Sequence, residues 1–227
     1  MNITHIQSVL ISRYTKIVFI ILPLMYVVGF IGLMLPQTQA YFKLLSAFNL
    51  WVSFAVLLAF HQDFQKSFIY FIIISFCTGF FVEVLGVHTG IIFGKYWYGA
   101  TLGTKLFEVP IVIGANWFIL VYSAGIIAEK VLSTLKASLY KKILVAFITA
   151  TLMVSLDILI EPIAIKLDFW QWDANIIPLQ NFIAWFIIAF ILALYFTFTQ
   201  FKKTNPLAFL IFSLQSLFFL LHTFFNT

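Results

Sequence analysis

The sequence predicts an all-α fold, a polytopic bundle of about seven transmembrane helices. Apolar residues make up 63% of the 227 residues and charged residues only 9%, whereas a soluble domain carries about 25% charged residues. The apolar residues also fall into runs of about 20, the length that a helix needs to cross a bilayer. Proline or clusters of polar residues separate these runs. We therefore expect a single transmembrane domain over residues 1–227, with no room for a soluble domain.

Seven apolar runs define the predicted helices in chain order. The first run follows Arg13 and Lys16, ends at Pro36, and is longer than the core of a signal peptide, so we assign it as a membrane helix. The second ends at the polar segment HQDFQK, and a long connection follows the third. The predicted ranges are Ile17–Leu35, Leu44–Phe60, Ser67–Val87, Pro110–Ala128, Ile143–Ile165, Asn181–Phe198 and Leu207–Phe225.

The distribution of positive charge predicts the orientation of the bundle. Short cytoplasmic loops of membrane proteins hold an excess of Lys and Arg. Of the 13 Lys and Arg residues, nine fall on the side of the N-terminus, which are Arg13, Lys16, Lys66, Lys130, Lys136, Lys141, Lys142, Lys202 and Lys203. The opposite side has Lys43, Lys95, Lys105 and Lys166. We therefore expect a cytoplasmic N-terminus and an outside C-terminus, in a bacterial or archaeal cell membrane.

Two connections on the predicted outer side, His88–Val109 and Lys166–Gln180, are long and rich in Gly, Trp and Tyr. A short turn would suffice to reverse a helix hairpin, so connections of this size usually have a function. The alternative is an aromatic belt at the depth of the lipid headgroups. Its members would be Tyr96, Trp97, Tyr98, Trp170 and Trp172.

Five polar residues fall within the apolar runs or at their ends, namely Glu83, Asn116, Asp157, Glu161 and Asn181. A charge at the bilayer centre costs about 2.5–3.5 kcal/mol on insertion scales, so such residues mark function by default. The predicted topology brings all five to the outer half of the membrane. Asp157 and Glu161 are four residues apart and share one helix face. Because two ionised carboxylates repel in an apolar medium, at least one is expected to hold a proton.

These polar residues also have a purely structural interpretation. Interhelical hydrogen bonds are common in membrane bundles. Under this alternative, Asp157 would pair with Asn116, and Glu161 would pair with a lysine from an outer loop. The amides of Asn116 and Asn181 are better suited to orienting other groups than to transferring protons.

Motifs for several other chemistries are absent from the sequence. The four histidines have no paired helical spacing, no nucleotide-binding glycine loop occurs, and Cys77 is the single cysteine, which we expect to be a buried, inert thiol. The scattered positive charges fit topology signals better than nucleic-acid binding. We therefore expect no metal, no cofactor and no nucleic acid. Acid–base chemistry by carboxylates among aromatic side chains remains, which suits protonation of an alkene and stabilisation of the resulting carbocation.

An ordered set of motifs extends over residues 82–185. It reads ExxGxxTGxxFGxYxY from Glu83, LGxxLxxVPxxIxxxW up to Trp117, DxxxEPxAxxxxxWxW from Asp157, and PxxNxxxW up to Trp185. In these segments the sequence resembles the carotenoid biosynthesis membrane proteins, a family that includes bisanhydrobacterioruberin hydratase and carotenoid 1,2-hydratases. The first, second and seventh predicted helices carry no motif that matches, and we expect them to complete the bundle.

The resemblance implies hydration of the terminal double bond of an acyclic carotenoid end group to a tertiary alcohol, with water as co-substrate. The carotenoid would bind within the bilayer, and association with other carotenoid biosynthesis enzymes fits this role. We predict Asp157, Glu161 and Glu83 as catalytic residues. The predicted substrate-binding residues are Tyr96, Tyr98, Asn116, Trp117, Trp170, Trp172, Asn181 and Trp185. The alternatives are a carotene end-group cyclase, which also begins by protonating an alkene, and a proton-coupled transporter in which the acids relay protons.

Overall fold

Seven long helices form the protein. The computed structural model describes the backbone of residues 3–225 and the side chains of residues 14–225, so the Arg13 side chain lies outside the described part. The helices are α1 (Ile3–Met34), α2 (Pro36–Ala59), α3 (Lys66–Thr89), α4 (Val112–Val131), α5 (Leu139–Lys166), α6 (Leu179–Phe198) and α7 (Ala208–Phe225). In the described chain, seven helices are long and apolar enough to cross a membrane. The predicted fold class, a multi-pass helical membrane protein, is confirmed.

Helix α4 lies at the centre of the bundle. It contacts α2, α3, α5, α6 and α7, and 83% of its most apolar window is buried, against 17–44% for the other six spans. Trp117, Phe118 and Tyr122 on this helix are completely buried. The core therefore surrounds α4, and the surfaces of the outer helices carry exposed apolar side chains, as a lipid-facing bundle requires.

Several helix ends differ from the sequence prediction. Helix α2 begins at Pro36 and not at Leu44, because proline at the first helical position loses no hydrogen bond and has a preset φ. Pro110, the predicted start of the fourth helix, lies in a strand, and α4 begins at Val112. Helix α5 begins at Leu139, where the Ser138 hydroxyl caps the helix by accepting from the Lys141 N–H at 3.1 Å.

The long connections contain short strands that the sequence did not predict. Strand β1 (Tyr96–Tyr98) pairs antiparallel with β4 (Trp170–Trp172), and the two form what we call the aromatic ribbon. Strands β2 (Lys105–Leu106) and β3 (Val109–Pro110) form a hairpin whose turn residues Phe107 and Glu108 have φ of 51° and 64°, as a type I′ turn requires. A single 3₁₀ turn, Asp173–Asn175, follows β4. The aromatic ribbon thus joins the α3–α4 connection to the α5–α6 connection.

The expectation of a buried thiol is wrong. Cys77 lies on the exposed surface of α3. Most residues of this run suit lipid and the protein core equally well, so the sequence does not show which of the two Cys77 faces.

Candidate functional site

One small cavity gathers every site residue that the sequence predicts. It lies between α3, α4, α5, α6 and the aromatic ribbon, and its volume is about 30 Å³. The lining residues are Glu83, Phe93, Tyr96, Tyr98, Ile113, Asn116, Trp117, Asp157, Ile160, Glu161, Trp170, Trp172, Asn181 and Trp185. Phe93 and Ile113 belong to the sequence motifs but were given no role, and Ile160 lies at an unspecified motif position, because in a chain this apolar an apolar residue alone does not indicate a site.

Glu83 of α3 is surrounded by three hydrogen-bond donors. Tyr96 and Tyr98 donate their hydroxyls to Oε2 at 2.6 and 2.9 Å, and Trp117 donates its indole N–H to Oε1 at 3.1 Å. The Glu83 residue is only 3% exposed. A carboxylate accepts and does not donate, so this set of partners matches the ionised form of the side chain.

Glu161 of α5 has a corresponding environment. Trp170 and Trp172 donate their indole N–H groups to Oε2 at 3.0 and 2.7 Å, and Asn181 donates its amide to Oε1 at 3.1 Å. The structural alternative, in which Glu161 pairs with a lysine, is not what the described residues show, because the partners of Glu161 are these two tryptophans and Asn181. The charge pattern placed lysines on this side of the bundle, but it gave no sign of the ribbon whose tryptophans donate to the acid.

Asp157 differs from the two glutamates in having one donor. Asn181 donates from Nδ2 to Asp157 Oδ2 at 3.0 Å, and the same nitrogen reaches Glu161. The other oxygen, Oδ1, is buried and has no hydrogen-bond partner among the described residues. The pairing of Asp157 with Asn116, which the structural alternative required, is therefore not found among the described residues; Asn116 is half-buried and lines the cavity wall. Asp157 is the carboxyl group with an unengaged oxygen at the cavity.

The alternation of the aromatic ribbon determines which aromatic rings reach the acids. Successive strand residues face opposite sides. Tyr96 and Tyr98 are each 7% exposed, whereas Trp97 between them is 52% exposed. On β4, Trp170 pairs with Tyr98 and Trp172 pairs with Tyr96. Four of the five aromatics of the proposed headgroup belt therefore donate to carboxylates, and Trp97 alone among those five is exposed.

Stacked indole rings form another wall of the cavity. The rings of Trp117 and Trp185 lie 4.1 Å apart, centroid to centroid, at an interplanar angle of 19°. Gly79 on α3 makes room for this pair, because a Cβ there would lie 2.3 Å from the Trp117 Cβ. The faces of these rings present π electrons that attract positive charge.

The two ribbon tyrosines are held as neutral donors. Burial, and then the negative charge of Glu83, raise the pKa of Tyr96 and of Tyr98 well above the ordinary value of 10.0. Both phenols therefore keep their protons at neutral pH and donate to Glu83. No group of three or more His, Cys, Asp or Glu side chains in the described part of the chain is arranged to hold a metal ion.

Comparison with known proteins relates this chain to carotenoid enzymes. No solved structure matches it. Over 121 residues, or 52% of this chain, it is 29% identical to bisanhydrobacterioruberin hydratase of Haloarcula japonica, and the matched segment covers 40% of that protein. The profile of a family described as carotenoid biosynthesis protein matches residues 39–226, which include every residue of the cavity. Both findings support a carotenoid-modifying role. This multi-pass membrane protein therefore belongs to the carotenoid biosynthesis protein family.

Proposed function

We propose that this protein hydrates the terminal double bond of an acyclic carotenoid end group and forms a tertiary alcohol. The observation that carries this proposal is the buried Oδ1 of Asp157, which has no partner among the described residues and lies in a cavity lined by aromatic rings. A neutral carboxylic acid carries one O–H donor. With no acceptor among the described residues, that donor is available to an alkene.

The hydrogen bonds support a division of roles among the three acids. Glu83 and Glu161 each accept three hydrogen bonds, which suits carboxylates. Asp157 accepts one, which suits the protonated form. Because three negative charges cannot share one apolar cavity at low cost, a neutral Asp157 is also the electrostatically reasonable state. Asp157 is thus the proposed proton donor.

The proposed reaction balances without a cofactor. Asp157 transfers its proton to the inner CH carbon of the double bond, and the π electron pair forms the new C–H bond. The positive charge develops at the tertiary carbon, where the rings of Trp117, Trp185 and Tyr96 stabilise it. Water forms the C–O bond and releases a proton to Glu161 or Glu83. That proton returns to Asp157 through water, which restores the site.

The size of the cavity supports water as the nucleophile. A buried water needs about 10–15 Å³ of cavity volume and two or more polar partners. The cavity has about 30 Å³ and three carboxyl groups. Water bound between the acids would thus lie beside the cation as it forms, whereas a cyclase must keep water away from its cation.

Product mass tests this proposal directly. The protein would be expressed in a bacterium that makes an acyclic carotene, with wild type compared with Asp157→Asn, Glu161→Gln and Glu83→Gln. We expect wild type to add one water, and Asp157→Asn to lower this activity by about 10²-fold or more, the usual effect of a general acid–base group. The matched control is Glu129→Gln, an acid-to-amide change at the other end of α4, where Glu129 pairs with Lys141 at 3.1 Å.

Three outcomes would contradict the proposal. Full hydration by Asp157→Asn would exclude its role as the proton donor. A product of unchanged mass with a new ring would favour the cyclase. Proton-driven solute uptake by proteoliposomes, with no change in any carotenoid, would favour the transporter.

A further inference from the structure

A second, larger cavity opens beside the acid cavity. It has a volume of about 270 Å³ and lies between α1, α2, α4, α5 and α7. Met25, Gly29 and Leu33 of α1 line one wall, and Phe42 and Leu45 of α2 line the facing wall. We call this cavity the chain groove. Helices α1, α2 and α7 contribute no residue to the acid cavity. If their role were only to complete the bundle, they would not need to leave a cavity of this size between them.

We propose that the chain groove holds the hydrocarbon chain of the substrate while the end group of that chain reaches Asp157. This inference rests on the proposed function and adds the path by which the substrate binds. The helices without sequence motifs would then form the substrate-binding surface, and the motif-bearing helices would form the reaction cavity.

Continuity between the two cavities is the first argument. Asn116, Ile160 and Trp170 line the chain groove and also line the acid cavity. These three side chains therefore form the partition between the two spaces. Ile160 is the residue before Glu161, and Trp170 donates to Glu161. A chain lying in the groove would bring its end to this partition, and displacement of one of these side chains would let the end group pass to Asp157.

Size and shape are the second argument. The walls extend from Met25 to Leu33 on α1 and from Phe42 to Leu50 on α2, and eight helical steps correspond to about 12 Å on each helix. The volume of the chain groove, about 270 Å³, is slightly below the range of about 300–1,000 Å³ that is usual for small-molecule pockets. The groove therefore has room for the end segment of a long chain and not for the whole chain. The acid cavity of about 30 Å³ is too small for such a segment. The remainder of the chain would extend into the bilayer.

Gly29 offers a precise way to block the groove. It lines the groove, and a Cβ built on it would meet no heavy atom within 4 Å. We expect Gly29→Trp to place an indole ring in the groove without displacing the protein core. The matched control is Ile20→Trp on the same helix, because Ile20 is 69% exposed and does not line the groove. Ser46→Phe blocks the same space from α2 and serves as a second variant if Gly29→Trp does not fold.

Two measurements separate this inference from the proposed function. The first is hydration of an acyclic carotene, which Gly29→Trp should lower by about tenfold or more relative to Ile20→Trp, equivalent to about 1.4 kcal/mol. The second is retention of the carotene by purified Asp157→Asn protein, measured by absorbance that co-elutes with the protein. Adding Gly29→Trp to Asp157→Asn should abolish retention, and adding Ile20→Trp should not.

The outcomes are distinct. Loss of carotene retention with Gly29→Trp supports the groove even if wild type hydrates no carotenoid. Absence of hydration by wild type would contradict the proposed function and would not contradict the groove. Unchanged retention and hydration in both Gly29→Trp and Ser46→Phe would overturn the groove and leave the proposed function intact. Purified Asp157→Asn protein that retains phospholipid but no carotene would also overturn it.

Discussion

Trp172 and Trp97 lie on the two strands of the aromatic ribbon and have opposite surroundings. The Trp172 indole N–H donates to Glu161 at 2.7 Å, and the residue is 3% exposed, whereas Trp97 is 52% exposed. A hydrogen bond to a charged group contributes about 1.5–3 kcal/mol. Each ribbon tryptophan that faces inward should therefore stabilise the ionised form of Glu161, which is the form that can accept a proton.

The first prediction concerns this N–H group. Trp172→Phe keeps an aromatic ring but removes the donor, so the ionised form of Glu161 loses stabilisation. More of the protein should then hold Glu161 already protonated and unable to accept the proton from water, and hydration should fall by about tenfold or more. Trp97→Phe is the matched control and should keep wild-type activity. Rates of product formation by purified protein in detergent decide the matter, and equal rates for the two variants would exclude a role for the hydrogen bond.

The second prediction concerns the ribbon tyrosines. Because burial and Glu83 raise the pKa of Tyr96 and Tyr98 well above 10.0, both phenols should stay protonated in the native protein at pH 10.0, where a free tyrosine is about half ionised. The double variant Tyr96→Phe/Tyr98→Phe should then show the same native phenolate absorbance as wild type, and less absorbance after denaturation. A lower native absorbance in the double variant would contradict the prediction.

The same shifts give the pH dependence of stability a definite sign. Above about pH 10 the unfolded chain releases both phenolic protons, while the native protein keeps them. The unfolded state then binds fewer protons than the native state, so the free energy of unfolding falls as the pH rises through this range. Below it, these two phenols cause no change with pH.

At the scale of elements, the close contact between the two loops of the ribbon is held by Gly99. Its N–H donates to the Phe169 carbonyl at 2.9 Å, and a Cβ on it would lie 2.0 Å from the backbone oxygen of Asp168. Thr101 donates its hydroxyl to the same Asp168 oxygen at 2.7 Å. A side chain at position 99 would force apart the backbones that carry the donors of both glutamates.

The third prediction tests this contact. Gly99→Ala should lower the free energy of unfolding by about 1–3 kcal/mol, the usual cost of overpacking, and should also lower activity. Gly29→Ala, where a Cβ meets no atom within 4 Å, should instead be neutral or stabilise α1 by about 0.5–1 kcal/mol. Thermal unfolding in detergent compares the two, and an unchanged melting temperature for Gly99→Ala would show that the ribbon is not held this way.

The elements also explain which parts of the site were predictable. The cost of placing acids in an apolar run singled out Glu83, Asp157 and Glu161, since that cost depends on sequence alone. Their partners depend on rotation about the helix axes and on the loop ribbon. For this reason the sequence could not show that Asn181, and not the Asn116 of the structural alternative, is the hydrogen-bond partner of Asp157. The strands themselves, each two or three residues long, are too short to give a periodic signal.

At the scale of the whole molecule, the predicted orientation remains to be tested, and it gives the fourth prediction. With a cytoplasmic N-terminus, an impermeant thiol reagent added to intact cells should label Lys105→Cys in the hairpin and should not label Lys136→Cys between α4 and α5. Both variants would be made in the Cys77→Ser background, which removes the single native cysteine. Labelling of position 136 and not of position 105 would reverse the topology and leave the chemistry of the cavity unchanged.

The position of α4 at the centre of the bundle has a consequence for biogenesis. Its mean hydropathy of 1.5 is the lowest of the seven described spans, the others having 1.7–2.7. A helix surrounded by protein does not need a lipid-compatible surface, but α4 leaves the ribosome before α5, α6 and α7, which later cover it. While these helices are still being synthesised, its polar and aromatic surface lacks its final neighbours. Stable insertion of α4 is therefore expected to be completed late, when the C-terminal helices enter the membrane beside it.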